Sequence, residues 1–256
     1  MRPVVRPVAL FVVSVAVAVL LWHFAATYFF NPALIPPPAK VVATALPMIQ
    51  SGEIFKHVAV SLGRVAVGFV LGSLLGIVVG VVLGRIRLVN ELLDPVIELL
   101  RYLSPTAMIP IAVIWFGIGE LSKYFLIFWG TFFIVLVNTT AGVMRAPVIR
   151  QRAATCLGAN ALQIFMLVVI PSAAPYIVTG MRIAMASSFM SIIPAEILAA
   201  DSGIGFLLQN SSILLQTDRI FVALATICLI GFVSDRLFRI AVDRMLSRYM
   251  SHVSLA

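Results

Sequence analysis

Residues 8–30 carry no formal charge, and neither do residues 65–84. At a rise of about 1.5 Å per residue, ~20 apolar residues take a helix across the hydrocarbon of a bilayer, so each run is long enough to span one. Hydrophobic residues make up 62% of the 256 and charged ones 11%. Soluble globular domains hold roughly 45–50% and about 25%, so lipid must be the solvent for much of this surface. Strands of a membrane barrel would place polar residues at every second position, and these runs do not. The expected class is all-α: a polytopic membrane protein of about six transmembrane helices in a single domain, 1–256.

The six spans are expected near 8–30, 60–84, 94–116, 121–144, 172–197 and 219–240. The first could be read as a signal peptide, but its apolar run is too long and ends in Trp22, Tyr28, Phe29 and Phe30, aromatics that suit an interfacial anchor. Pro36-Pro37-Pro38 interrupts any helix that follows, and residues 39–58 read as a short interfacial helix. The third span is expected to break near Ser104-Pro105 and Pro110. With the N-terminus inside, one side collects Arg2, Arg6, Arg85, Arg87, Arg145, Arg150, Arg152, Arg236, Arg239, Arg244 and Arg248. The other holds Lys40, Lys56, Lys123 and Arg219. This asymmetry predicts both termini in the cytoplasm.

The formal net charge of +8 flanks the apolar runs instead of forming a basic patch, so nucleic acid is not an expected partner. Lys40, Lys56 and Lys123 do not follow a glycine in a phosphate-binding pattern, so any ATP is hydrolysed by another polypeptide. His23, His57 and His252 are scattered, and Cys156 and Cys228 lack metal-ligand spacing. Neither a catalytic nor a metal site is expected, and no internal repeat of the inverted-transporter kind is visible.

After the fourth span comes a segment, 145–160, too short and too charged to cross. Its pattern is Arg152-Ala-Ala-Thr-Cys-Leu-Gly158, nine residues, then Val168-Val-Ile170-Pro171. This resembles the cytoplasmic loop of bacterial ABC importer permeases: Glu-Ala-Ala, three residues, Gly, nine residues, Ile, one residue, Leu-Pro. Ala153, Ala154, Gly158 and Pro171 match in identity, Val168 and Ile170 are conservative, and Arg152 replaces the leading Glu. The resemblance implies that 145–160 is a coupling helix that docks on an ATP-binding subunit, with Arg145, Arg150 and Arg152 facing that partner or anionic lipid. Small residues allow close docking, Gly158 can end the helix in a left-handed conformation, and Pro171 is expected to start the next span.

Three further stretches resemble the nitrate, sulfonate and taurine importer permeases: Leu34-Ile-Pro-Pro-Pro-Ala-Lys-Val41, Ile109-Pro-Ile-Ala-Val-Ile-Trp-Phe-Gly-Ile-Gly-Glu120, and Pro194-Ala-Glu196-Ile-Leu-Ala-Ala with Gly203-Ile-Gly205. The resemblance implies a bacterial inner-membrane importer for a small anion: a sulfonate, taurine, nitrate or organic acid. It also implies a second copy of the chain, two ATP-binding subunits carrying ATP and Mg, and a periplasmic substrate-binding protein. An uncharged or zwitterionic nutrient, or an ion-driven secondary transporter, is the alternative.

Ionisable residues inside a span cost about 2.5–3.5 kcal/mol on insertion scales, so Arg64, Arg101, Arg182 and Glu196 each need an account. One reading lines a translocation path with them. The other pairs them structurally: Arg101 with Glu98 along one helix, Glu196 with Arg64 or a backbone carbonyl. In the fifth span, Gly180, Ala184, Ser187, Ser188 and Ser191 permit close helix approach. Met181, Met185 and Met190 could form an apolar constriction.

Overall fold

The computed structural model describes residues 5–250; Arg2 and His252 lie outside them. The described chain is helical, without strands: α1 (Val5–Tyr28), α2 (Pro38–Gln50), α3 (Glu53–Arg85), α4 (Arg87–Arg101), α5 (Ile109–Phe116), α6 (Glu120–Met144), α7 (Val148–Cys156), α8 (Ala161–Ile164), a π-helical turn (Phe165–Val169), α9 (Ile170–Ala199), α10 (Ile204–Ile213) and α11 (Thr217–Met250). Four runs among the described residues are long and apolar enough to cross a membrane: Glu53–Arg85, Glu120–Met144, Ala161–Leu198 and Thr217–Val242. Val12–Tyr28 is a shorter apolar helix.

The frame is α6, packed on one side by α3 and on the other by α9. Along α3, Gly68, Gly72, Gly76, Gly80 and Gly84 recur every fourth residue and so form one ridge. A Cβ at these positions would stand 2.5 Å from Ile127 Cβ, 2.7 Å from Thr131 Cβ, 2.9 Å from the Phe132 carbonyl, 2.7 Å from the Leu136 carbonyl and 2.6 Å from Val143 Cβ. The two backbones therefore approach as closely as the missing side chains allow, which in lipid maximises dispersion contact between helices. Partner numbers rise together along this seam, so α3 and α6 run parallel.

Parallel packing has a topological consequence. Two consecutive long helices pointing the same way require residues 86–119 to bring the chain back across their full length. That return is not one continuous helix, and it breaks where Ser104-Pro105 and Pro110 are expected to break the span at 94–116. α4 ends at Arg101, and α5 begins only at Ile109. Pro105 lacks an N–H and pushes Ser104 out of the helical region, which opens the break, while Pro110 sits in the first turn of α5, where it is tolerated. The Trp129 indole Nε1 donates to the Leu103 carbonyl at 2.9 Å and pins the break to α6.

Between α6 and α9 the order reverses: Gly142 meets Tyr176, Asn138 meets Gly180, and the Thr131 and Ser188 hydroxyls bond at 2.9 Å. The small residues of the fifth span thus do what their size permits. The helix that contains α9 starts much earlier than Pro171, however. Asn160 and Gln163 form a capping box that opens α8, and the run continues to Leu198. Pro171 cannot donate to a carbonyl four residues back, and the π-helical turn just before it accommodates the ring.

The remaining helices complete one side of the frame. Val41, Met48, Ile54, Ile204, Leu207 and Val222 form a buried cluster joining α2, α3, α10 and α11. Trp22 of α1 stacks on Phe221 with centroids 5.6 Å apart. α3 begins at Glu53, earlier than expected, after Gly52 turns the chain at φ 78°. Leu20, Leu21, Val70, Leu71, Leu74 and Val78 are exposed, the surface that lipid covers.

Candidate functional site

Gly158 adopts φ +84°. Its N–H reaches the Thr155 carbonyl at 2.9 Å, and the Ala159 N–H reaches the Ala154 carbonyl at 3.0 Å. These two bonds end α7 as a Schellman motif, which needs a left-handed residue after the cap. α7 has no buried residue, and Ala153 is exposed on it. Ile149 and Leu157, four residues to either side of Ala153, are 79% and 88% exposed. Spacing of four places the three on one helical face, an apolar strip beside exposed Arg150 and Arg152. Arg145 lies over the Tyr176 ring at 5.9 Å, which holds the α6 end of the segment to α9.

The four charges read from the sequence fall in three places. Arg64 and Glu196 come together: Arg64 Nη1 donates to Glu196 Oε1 at 2.8 Å, with residue exposures of 4% and 1%. Arg182 is elsewhere, with Nε 3.1 Å from the Asp235 carboxylate of α11. Arg101 is at the end of α4, its Nη2 a long 3.4 Å from Glu98 Oε1 and its guanidinium 5.2 Å from the Tyr102 ring centroid. Met181 and Met185 pack beside the buried Phe69, Val135 and Ala184, whereas Met190 is exposed; the three do not converge on a constriction within this chain.

The profile of the family described as "Binding-protein-dependent transport system inner membrane component" matches residues 68–247. The chain belongs to this family. The permease is 35% identical to the taurine transport system permease protein TauC of Escherichia coli (strain K12), over 98% of its own length and 93% of that protein. It is 31% identical to the nitrate import permease protein NrtB of Synechocystis, covering 91% and 86% of the two chains. Among solved structures, an inward-facing MetNI methionine ABC transporter superposes with a TM-score of 0.64 at 18% identity, over 79% of the permease and 98% of that chain. The permease is thus the multi-pass transmembrane subunit of an ABC importer, and ATP hydrolysis belongs to a separate subunit.

Two of the stretches that carry the family likeness meet at Arg64. The Gly117-Ile-Gly119 turn brings in Glu120, whose carboxylate takes a forked pair from Arg64, Nε at 2.7 Å and Nη2 at 2.6 Å, and a bond from Lys123 Nζ at 2.8 Å. The end of α9, the turn that follows it, the start of α10 and α3 supply the rest. Glu196 accepts from Ser61 Oγ at 2.8 Å and from the Gly205 N–H at 2.8 Å. Arg64 Nη1 also donates to the Ser202 carbonyl at 2.6 Å, and the Gly203 N–H donates to His57 Nδ1 at 3.0 Å. Gly203 has φ +124°, and a Cβ there would run into the Glu196 carboxylate, so both the conformation and the contact require glycine. Sequence reasoning missed Glu120, Ser61, His57 and Lys123 as members of this cluster. Only Lys123, three residues from Glu120 on one helix, left a local signal.

Proposed function

We propose that two copies of this permease enclose a path through the bacterial inner membrane for a small anion such as a sulfonate, taurine, nitrate or an organic acid. A periplasmic binding protein delivers the solute, and each copy docks α7 on a cytoplasmic ATP-binding subunit that holds ATP and Mg. The observation that carries this is the Ile149, Ala153, Leu157 strip: an apolar face left uncovered on a short helix that is too polar to lie among lipid tails. A folded protein partner covers such a face; solvent does not. The parallel seam of α3 and α6 supports an orientation. Their C-terminal ends carry Arg85, Arg87 and Arg145 with α7 just beyond, while Lys56, Lys123 and Arg219 gather at the other. The more basic end is cytoplasmic, as are both termini.

An ion-driven secondary transporter would keep a titratable carboxylate in reach of water at mid-membrane. Glu196 is instead buried and ion-paired, which favours the ATP-driven reading. The test is to purify the chain from its native membrane under mild detergent and assay ATPase activity with and without the loaded binding protein. Co-purifying activity that rises with the binding protein is the expected result; its absence overturns the docking role of α7. Gly158→Leu tests the placement directly. A Cβ at 158 meets nothing within 4 Å, so the cost is conformational, about 1–2 kcal/mol for a left-handed non-glycine residue. Stimulated ATPase activity is expected to fall about fivefold or more while insertion into the membrane is unchanged.

A further inference from the structure

A cavity of about 350 Å³ lies where the α4–α5 break faces the middle of α6 and α9, lined among others by Arg101, Ser104, Trp129, Asn138 and Ser187. Within that lining Arg101 is the one formally charged side chain, so no carboxylate opposes it across the cavity. Its contact with Glu98 is long and uses Nη2 alone. Among the described residues no hydrogen bond engages Arg101 Nε or Nη1. Ser104 Oγ accepts from the Ala107 N–H at 3.2 Å, which leaves its own proton free to donate. Asn138 Nδ2 spends one proton on the Ile134 carbonyl at 2.8 Å and retains a second. Trp129 and Ser187 are occupied, donating to the Leu103 and Gly130 carbonyls. A Cβ at Gly130 would run into Ser191 Oγ and stand 3.1 Å from Pro105 Cγ, so this glycine lets the break and α9 close on α6 as the floor.

The unspent capacity is therefore a guanidinium edge, a hydroxyl proton and an amide proton, with the Asn138 oxygen as an added acceptor. We propose that this cavity is the intramembrane station for the solute, and that it takes a small oxyanion on Arg101, Ser104 and Asn138. The proposal rests on the importer reading and assigns the path charge among its four candidates: Arg64 and Glu196 are sealed in their own cluster, and Arg182 faces Asp235. Arg101 and Ser104 are exposed on this chain, beside the apolar Trp129, Phe133 and Ile134 of the same cavity; a positive charge there attracts anions, and the volume suits a small solute.

The experiment uses the assembled transporter in membrane vesicles, with Ser104→Cys as the permease's single thiol after Cys156→Ala and Cys228→Ala and labelling read on the permease alone. Its rate of reaction with 2-sulfonatoethyl methanethiosulfonate, an anion, is compared with that of 2-trimethylammonioethyl methanethiosulfonate, a cation of similar size. Attack of the thiolate on the thiosulfonate sulfur forms a mixed disulfide and releases methanesulfinate in both cases, so the ratio reads local potential. The anion is expected to react faster relative to its rate with free thiol, and Arg101→Gln to reduce that ratio about tenfold. Arg101→Lys should retain most of it. A ratio indifferent to Arg101→Gln, or a thiol that neither reagent reaches, overturns the station. Either result leaves the importer reading standing if ATPase activity still responds to the binding protein.

Discussion

Gly80→Val is expected to leave the permease inserted but to cost it the seam between α3 and α6. Losing that helix packing destabilises the fold by about 3 kcal/mol or more, at or beyond the upper end of ordinary overpacking. The reason is what the new Cβ meets: the Leu136 carbonyl at 2.7 Å and Thr139 Cβ at 2.7 Å. A flexible side chain could swing away, but backbone on a long helix cannot. Thr140 Oγ1 reaches across to the Gly80 carbonyl at 3.2 Å, and this bond stretches if the helices part. Gly63→Ala, on the same helix with no atom within 4 Å of its Cβ, is the control. It should be neutral or stabilising by up to about 1 kcal/mol, the helix-propensity difference. The measurement is the midpoint of unfolding by added anionic detergent. Equal midpoints for Gly80→Val and the native chain would remove the seam from the account of this fold.

The glycines of α3 show what was legible and what was not. Their spacing of four is written plainly in residues 65–84, and lipid makes such a ridge a packing face. Nothing in that spacing says which helix it meets or in which direction, because the partner residues lie about sixty positions away. The same limit hid Glu120, which sits in a readable Gly-x-Gly-Glu string while its partner Arg64 is 56 residues earlier. Local chemistry was easier. Gly158 ends α7 in the left-handed conformation expected of it, and the break near Ser104-Pro105 is where the prolines put it. Pro171 misled for a physical reason: a proline usually opens a helix, but a π-helical turn lets one sit inside a run already opened by Asn160.

Glu196→Ala carries the other large effect, and it separates two meanings of a buried carboxylate. In the native chain this side chain satisfies Arg64, Ser61 and the Gly205 N–H together. Removing it leaves Arg64 with Glu120, whose side chain is half exposed, and strands a hydroxyl and a backbone donor in the interior. Breaking one side of a buried pair costs about 3–5 kcal/mol, so the expected result is a sharp drop in detergent-unfolding midpoint and in the yield of folded permease. Glu196→Gln keeps the volume and one acceptor oxygen, and should fall between the two. If Glu196 instead carried protons or contacted solute, Glu196→Gln would abolish transport while the midpoint held. The cluster joins α3, α6, α9 and the start of α10 at the end of the molecule opposite α7. Under the proposed docking of α7, a clamp there would tie those helices together, so that a displacement of α7 would be passed to the far side. On that account the Glu196 variants lose stimulated ATPase activity in proportion to their lost stability, and a variant that keeps stability but loses coupling would place Glu196 in the path.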